Sequence, residues 1–363
     1  MKGLILSGGR GTRLRPITYT SAKQLVPVAN KPILFYAVED MVECGITDIG
    51  IIVGETAEEV VAAVGDGSQF GAAVTWIHQP EPLGLAHCVL VAREFLGQDD
   101  FVMYLGDNML EQGLRPLVES FVAARSSDDP PAASILLSEV PDPHRFGVAR
   151  LGPDGRVAEL VEKPVDPPSN LALVGVYLFT AAVHDAVAAV VPSARGELEI
   201  TDAIDWLIDQ GRTVHHQLLD GWWLDTGKKD PLLESNQRVL ETLAHRVDGT
   251  LDDRTVVEGP VVVEAGATVV NCRLVGPVVV GAGAYLDHAS VGPDVAVGPG
   301  CRIERSSVEH SVLLDGARIA DVPRLVESLV GRGTVVEGTQ GAAPAGSGRG
   351  VRLMVGDDCV IEL

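Results

Sequence analysis

Along the first 240 residues, short apolar runs alternate with longer amphipathic stretches. The runs 1–6, 49–53, 74–77, 101–105 and 133–137 have the length and β-branched content of buried strands. Between them, 31–44, 56–64, 84–96 and 113–125 space their apolar residues as helices do. This alternation predicts an α/β domain built on a mainly parallel mixed sheet. Ligands then belong beyond the carboxyl ends of the strands, where a glycine loop follows Leu6 and where Gly106, Asp107 and Asn108 follow the run 101–105.

After about residue 250 the pattern changes to a period of seventeen residues, repeated in lines that begin at Val263, Val280 and Val297 and, more weakly, at Leu314. Aliphatic residues recur in three columns. Val263, Val280, Val297 and Leu314 form the first, Val269, Leu286 and Ile303 the second, and Leu274, Val291 and Val308 the third. Steps of six, five and six residues put one inward aliphatic on each of three flat faces, which predicts a hexapeptide-type parallel β-helix with coils roughly 4.8 Å apart. A flexible Val/Gly tail would not keep three columns in register. Residues 331–350, rich in Gly and Ala, read as an irregular excursion, and 355–361 as a return to the repeat.

With 363 residues, 46% of them hydrophobic, the chain can bury two cores, and the change of pattern divides it into 1–245 and 246–363. The net charge of −22 repels polyanions and excludes general nucleic-acid binding, leaving small anionic ligands at a local basic patch. Such a patch exists. The first thirty-eight residues carry Lys2, Arg10, Arg13, Arg15, Lys23 and Lys31 and no acid. The five cysteines are scattered and form no CxxC pair, so neither a disulfide framework nor a zinc site is expected. The sequence shows no signal peptide at its start and no apolar window near the ~20 residues a bilayer span needs. A cytoplasmic protein without a membrane partner is the expectation.

In the glycine loop, Gly8, Gly9 and Gly11 remove Cβ bulk and permit positive φ, so that backbone N–H groups can converge on phosphate oxygens while Arg13 adds charge-assisted bonds. A tight β–α turn with incidental arginines is the bland alternative. Two common phosphate loops are excluded. There is no Gly-Lys-Ser/Thr for a Walker loop, and Leu14 stands where a dinucleotide fingerprint needs its third small residue.

The run L-S-G-G-R-G-T-R-L-R-P from Leu6, followed by K-Q-L-V-P-V-A-N-K-P from Lys23, resembles the sugar-phosphate nucleotidylyltransferase family. So do H-Q-P-E-P-L-G-L-A from His78, Y-L-G-D-N from Tyr104, R-F-G-V-A from Arg145, E-K-P from Glu162, G-E-L-E-I-T-D from Gly196 and W-L-D-T-G from Trp223. The resemblance runs to about residue 230. It implies a Rossmann-like nucleotidyltransferase domain, and for the β-helix the left-handed kind found in longer members of antibiotic-sugar pathways. The implied reaction joins a nucleoside triphosphate to a sugar 1-phosphate and releases pyrophosphate. Gln24 and Asn108 favour the thymidylyl branch, with dTTP and glucose 1-phosphate as substrates and dTDP-glucose as product.

The resemblance also implies roles for single residues. Arg13 and Lys23 are the catalytic cations, since a sugar phosphate is already an anionic nucleophile and charge repulsion is the obstacle. Leu6, Gly8, Gly9, Gly11, Thr12, Arg13, Gln24, Gln79 and Gly84 bind the nucleotide, with the Gln79 amide matched to a pyrimidine imide edge. Gly147, Glu162, Lys163, Leu173, Arg195 and Trp223 take the sugar phosphate. Asp107 and Asp225 hold Mg²⁺, a hard cation suited to carboxylate oxygen. Phe146, Leu173 and the doubled Trp222–Trp223 depart from the usual pattern and put the sugar pocket in question. The alternatives are a UTP-using or N-acetylglucosamine-1-phosphate-using relative, and an acyltransferase activity in the β-helix, where His288 and His310 lie. The flat coil faces predict a homo-oligomer.

Overall fold

The computed structural model describes residues 1–9, 11–339 and 349–363, so Arg10 and part of the expected excursion lie outside the described residues. Two compact units are formed by residues that alternate along the chain. One comprises Met1–Arg10 and Leu34–Leu224, the other Gly11–Ile33 and Asp225–Leu363.

The first unit is built on a mixed sheet. Lys2–Leu6 lies between Asp48–Val53 and Phe101–Leu105, parallel to both, and Ala73–His78 extends the parallel run beside Asp48–Val53. These are the expected strands; Lys2–Leu6, Asp48–Val53 and Phe101–Leu105 are buried along nearly their whole length and therefore continuously apolar, whereas Ala73–His78, at the edge, stays partly exposed. On the other side of Phe101–Leu105 the sheet turns antiparallel, through Leu171–Phe179, Ala133–Glu139, Gly147–Leu151 and Val157–Glu162. The helices Ala57–Val64 and Arg115–Ala124 fall where the spacing predicts, while the predicted 84–96 helix divides into Leu85–Val91 and Arg93–Leu96. Leu4, Ile52, Phe101, Met103 and Phe179, all fully buried, join the core beneath the sheet.

The parallel strands end together. Ser7 N–H donates to the Ile52 carbonyl at 2.9 Å and Gly106 N–H to the Leu6 carbonyl at 3.0 Å, which aligns the exits of three strands. Ser7, Gly8, Gln79 and Asp107 all leave from this edge, as parallel-sheet topology requires of ligand residues.

In the second unit a left-handed parallel β-helix runs from Arg246 to Glu337 and includes Met354–Glu362. Among the described residues, two of its faces have seven strands and the third has five. The three columns read from the sequence are buried: Val263, Val280, Val297, Val269, Leu286, Ile303, Leu274, Val291 and Val308 are all 0% exposed. In the fourth line, however, Val297 pairs with Leu313 rather than Leu314. The turn after Val308 is one residue shorter than the turn after Val291, and this resets the period for one coil. The regular coil also continues further than expected. Val335–Glu337 pairs with Arg318–Ala320, so the break falls after 337 and not at 331. Met354–Val355 and Val360–Glu362 then rejoin the stack against Leu329–Val330 and Val335–Glu337.

Candidate active site

The glycine-loop segment and the sequence after Asp225 come together within the second unit. Gly11 takes φ 61°, the left-handed region in which glycine is favoured, and a Cβ there would approach Lys23 Cβ to 2.9 Å. Gly8 does not use positive φ; its position is kept small by the Gln79 side chain instead. Lys23 and Gln24 open a single 3₁₀ turn, Lys23–Leu25, and both are buried.

Gly227 marks where the charged groups meet. A Cβ on this residue would lie 2.7 Å from Arg13 Nη2, 2.8 Å from Asp225 Oδ1 and 3.0 Å from Lys23 Nζ. Arg13 Nη2 is 3.4 Å from Asp225 Oδ2, and Gly227 N–H donates to Asp225 Oδ1 at 2.9 Å. Two cations and one carboxylate thus converge on a backbone stripped of its side chain. The Oε1 of buried Gln24 has no hydrogen-bond partner among the described residues, an acceptor left for a ligand to satisfy.

The first unit carries the other candidates. Gln79 is 7% exposed, its Nε2 within 3.1 Å of His87 Nδ1 and 3.4 Å from the Gly84 carbonyl. Its Oε1 faces Gly8, where a Cβ would come within 3.1 Å. Gly84 adopts φ 107° and could hold no side chain, because a Cβ would collide with the Leu198 carbonyl. That carbonyl accepts from Ala86 N–H, and Leu198 N–H donates to Leu83, which fixes the turn. Ser7 adds a fully buried hydroxyl with no partner among the described residues.

Asp107 is held by its neighbour. Asn108 Nδ2 donates to Asp107 Oδ1 at 3.1 Å while Asn108 Oδ1 accepts from Trp223 Nε1 at 2.6 Å. One amide therefore orients the carboxylate and ties down the indole. The Phe146 ring packs on Trp223 with centroids 5.1 Å apart.

Glu162 lies beside Gly147, where a Cβ would come within 3.0 Å of its Oε2, and Leu173 closes the same wall at 5% exposure. Lys163 Nζ is 2.9 Å from Glu162 Oε1. Arg195 is more heavily engaged than the sequence implies: it donates to both Glu199 oxygens at 2.8 Å and to Glu197 at 2.9 Å, and stands 3.4 Å from Glu162. These carboxylates use its charge to order the loop. Thr201 Oγ1, 3.4 Å from Glu162 Oε2, was not legible as a site residue, although it belongs to the G-E-L-E-I-T-D run. Asn108 and His87 were missed as orienting groups for the same reason, since their work is done through a neighbour. In the β-helix, His288 is bonded to Asp287 and His310 to Asp294.

A nucleotidyl transferase family profile matches residues 2–242. A glucose-1-phosphate thymidylyltransferase of Streptomyces griseus is 53% identical over 332 residues, 92% of each chain. One from Streptomyces antibioticus is 52% identical over 363 residues, covering 100% of this chain and 99% of its own. The solved structure of a UDP-glucose pyrophosphorylase complexed with UDP-glucose shares the fold, with a TM-score of 0.59 over 66% of this chain and 98% of that one, at 23% identity. Matched across its first two thirds by the profile and end to end by relatives sharing half its residues, the chain belongs to the nucleotidyl transferase family.

Proposed function

We propose that this chain transfers the thymidylyl group of dTTP to glucose 1-phosphate, giving dTDP-glucose and pyrophosphate by direct in-line displacement. The convergence of Arg13, Lys23 and Asp225 about Gly227 carries the reading. A phosphate oxygen of glucose 1-phosphate forms a bond to the α-phosphorus as the bond to the β-phosphate oxygen breaks, and pyrophosphate leaves with that electron pair. No proton needs to be removed from the nucleophile. The barrier is charge repulsion and alignment, which two fixed cations relieve.

Arg13 supports the departing pyrophosphate and Lys23 the reacting phosphates. Leu6, Gly8, Gly9, Gly11 and Thr12 cradle the triphosphate, while Gln24, Gln79 and Gly84 receive the base. Glu162 accepts from sugar hydroxyls, Lys163 pairs with the sugar phosphate, and Gly147, Leu173 and Trp223 shape the pocket. Arg195, spent on Glu197 and Glu199, acts on that pocket by holding Glu162 and the loop in place.

Asp107 and Asp225 are the carboxylates assigned to Mg²⁺. Each presents hard carboxylate oxygen and is held through Oδ1, Asp107 by Asn108 Nδ2 and Asp225 by Gly227 N–H, a chemistry that suits a cation taking one or two carboxylates beside substrate phosphate and water. When bound, Mg²⁺ neutralises charge on the phosphate oxygens.

The proposed division of labour follows the change of pattern, with transfer chemistry in 1–245 and the β-helix in 246–363, its flat faces joining chains into a homo-oligomer in the cytoplasm. Among the described residues no helix is long and apolar enough to cross a membrane.

The test is kcat/KM for pyrophosphate release over dTTP, UTP, CTP, ATP and GTP against several hexose 1-phosphates. A maximum at dTTP with glucose 1-phosphate, lost in Arg13→Ala, supports the proposal. Uracil lacks one methyl, worth only ~1–3 kcal/mol, so UTP should be the next best nucleotide. A maximum at any other pair moves the specificity and implicates Phe146 and Leu173.

A further inference from the structure

The segment from Gly11 to Ile33 belongs with the C-terminal residues in one compact unit, and its polar groups show how it is held. It has little regular structure of its own: 3₁₀ turns and a two-residue pairing of Pro27–Val28 with Lys31–Pro32. Ala29 and Asn30 connect these strands with φ 48° and 64°, the turn geometry in which both central residues are left-handed. Asparagine accepts that conformation; alanine resists it.

Both turn residues are fastened from outside the segment. Buried Asn236, on the helix Lys229–Thr242, accepts from Ala29 N–H at 2.9 Å through Oδ1, and its Nδ2 donates to the Asp294 carbonyl of the β-helix at 3.4 Å. Asn30 Nδ2 donates to the Val297 carbonyl at 2.8 Å. On the other side of Lys23, Arg332 Nη1 donates to Ser21 Oγ at 2.9 Å, and Thr20 Oγ1 donates to Asp357 Oδ2 at 2.7 Å. Asp357 in turn accepts from Arg332 N–H at 2.8 Å, which locks these two grips together. Lys23 thus sits on a short turn clamped before and after by the coils and their supporting helix.

We infer that the β-helix is a working part of the transfer site: Asn236 and Arg332 are positioning residues that hold the 20–30 segment, and with it Lys23, in its productive place. The inference rests on the assignment of Lys23 to the reacting phosphates. A group held too loosely by about an ångström can lose up to a hundredfold in rate, so the effect belongs in kcat.

The experiment compares Asn236→Ala, Arg332→Ala, Arg332→Lys and Lys23→Ala with the wild type, all as full-length chains. It measures kcat and both KM values well below each protein's melting temperature. Expected are at least tenfold losses of kcat in Asn236→Ala and Arg332→Ala, with KM for dTTP and glucose 1-phosphate changed less than threefold. Arg332→Lys, which keeps a donor for Ser21, should recover most of the loss. Arg332 is only half-buried, so its variants remain informative if Asn236→Ala folds poorly. Wild-type kcat in both alanine variants, with only the melting temperature lowered, would overturn the inference while an inactive Lys23→Ala leaves the reading of Lys23 intact. A fully active Lys23→Ala would overturn both.

Discussion

Replacing Gly227 with alanine separates positioning from folding more cleanly than removing a charge. The added Cβ would stand 2.7 Å from Arg13 Nη2, 2.8 Å from Asp225 Oδ1 and 3.0 Å from Lys23 Nζ. Ordinary carbon contacts begin near about 3.5 Å, so these groups must retreat by roughly half to one ångström. Arg13 and Lys23 can swing at their flexible ends, but Asp225 is bonded to Gly227 N–H and moves with the backbone. A displacement of that size costs up to about 10²-fold in rate. We therefore expect kcat to fall about 30- to 100-fold, equivalent to ~2–2.7 kcal/mol. Stability should hardly change. Gly227 does not use positive φ, so the alanine is compatible with its backbone and gains ~0.4–1 kcal/mol from the unfolded chain, which offsets the crowding. Steady-state pyrophosphate release and a thermal melt suffice. An alanine variant with kcat within twofold of wild type would refute the claim that these three groups work as a unit at this point.

Four further outcomes follow from named contacts. Trp223→Phe removes the donor to Asn108 Oδ1 and leaves that buried acceptor unsatisfied, so a loss of ~1–3 kcal/mol in urea denaturation is expected, together with a higher Mg²⁺ concentration for half-maximal activity as Asp107 loses its orienting neighbour. Gly84→Ala, with φ 107° and the Leu198 carbonyl in its way, should either prevent soluble folding or raise KM for dTTP at least tenfold. The Arg324 bonds to Glu309 hold that carboxyl below the usual glutamate range against burial, which acts to raise it. Their stabilisation is complete above the unfolded pKa of about 4.3 and is lost as pH falls through the depressed folded value, so Arg324→Gln should flatten the acid limb of a urea-midpoint profile between pH 7 and 3. Burial pushes the Cys88 and Cys301 thiols up to about 12 and raises those of Cys272 and Cys44, but Cys44 and Cys359 are partly exposed where the other three are buried, so a thiol reagent should label these two first; rapid modification of Cys301 would contradict the packed coil.

What the sequence made legible was what local pattern controls. The runs 49–53 and 101–105 became strands because a strand covered on both faces must be apolar throughout, and the columns Val263–Val280–Val297 appeared because identical coils stack with one period. The reset at Leu313 escaped because one shortened turn leaves no mark in composition. Site residues that touch ligand chemistry directly, such as Arg13 and Asp225, stood out by charge and motif. Those that act through a neighbour did not: Thr201 and Asn236 are unremarkable polar residues until the fold brings their partners to them from 39 and 207 positions away, and Asn108, legible as a branch marker, shows its orienting role only when Trp223 reaches it from 115 positions away. Arg195 shows the converse, since a cation in a motif invites a phosphate and the fold gives it carboxylates.

The most direct test of the account is a ³¹P NMR time course of the purified chain with dTTP, glucose 1-phosphate and Mg²⁺. The account predicts that the monophosphate and triphosphate signals decline together as a nucleotide-sugar diphosphate pair and pyrophosphate appear in equal amounts, that EDTA stops the exchange, and that added pyrophosphate reverses it. Release of inorganic phosphate instead of pyrophosphate, or loss of triphosphate without consumption of glucose 1-phosphate, would contradict it.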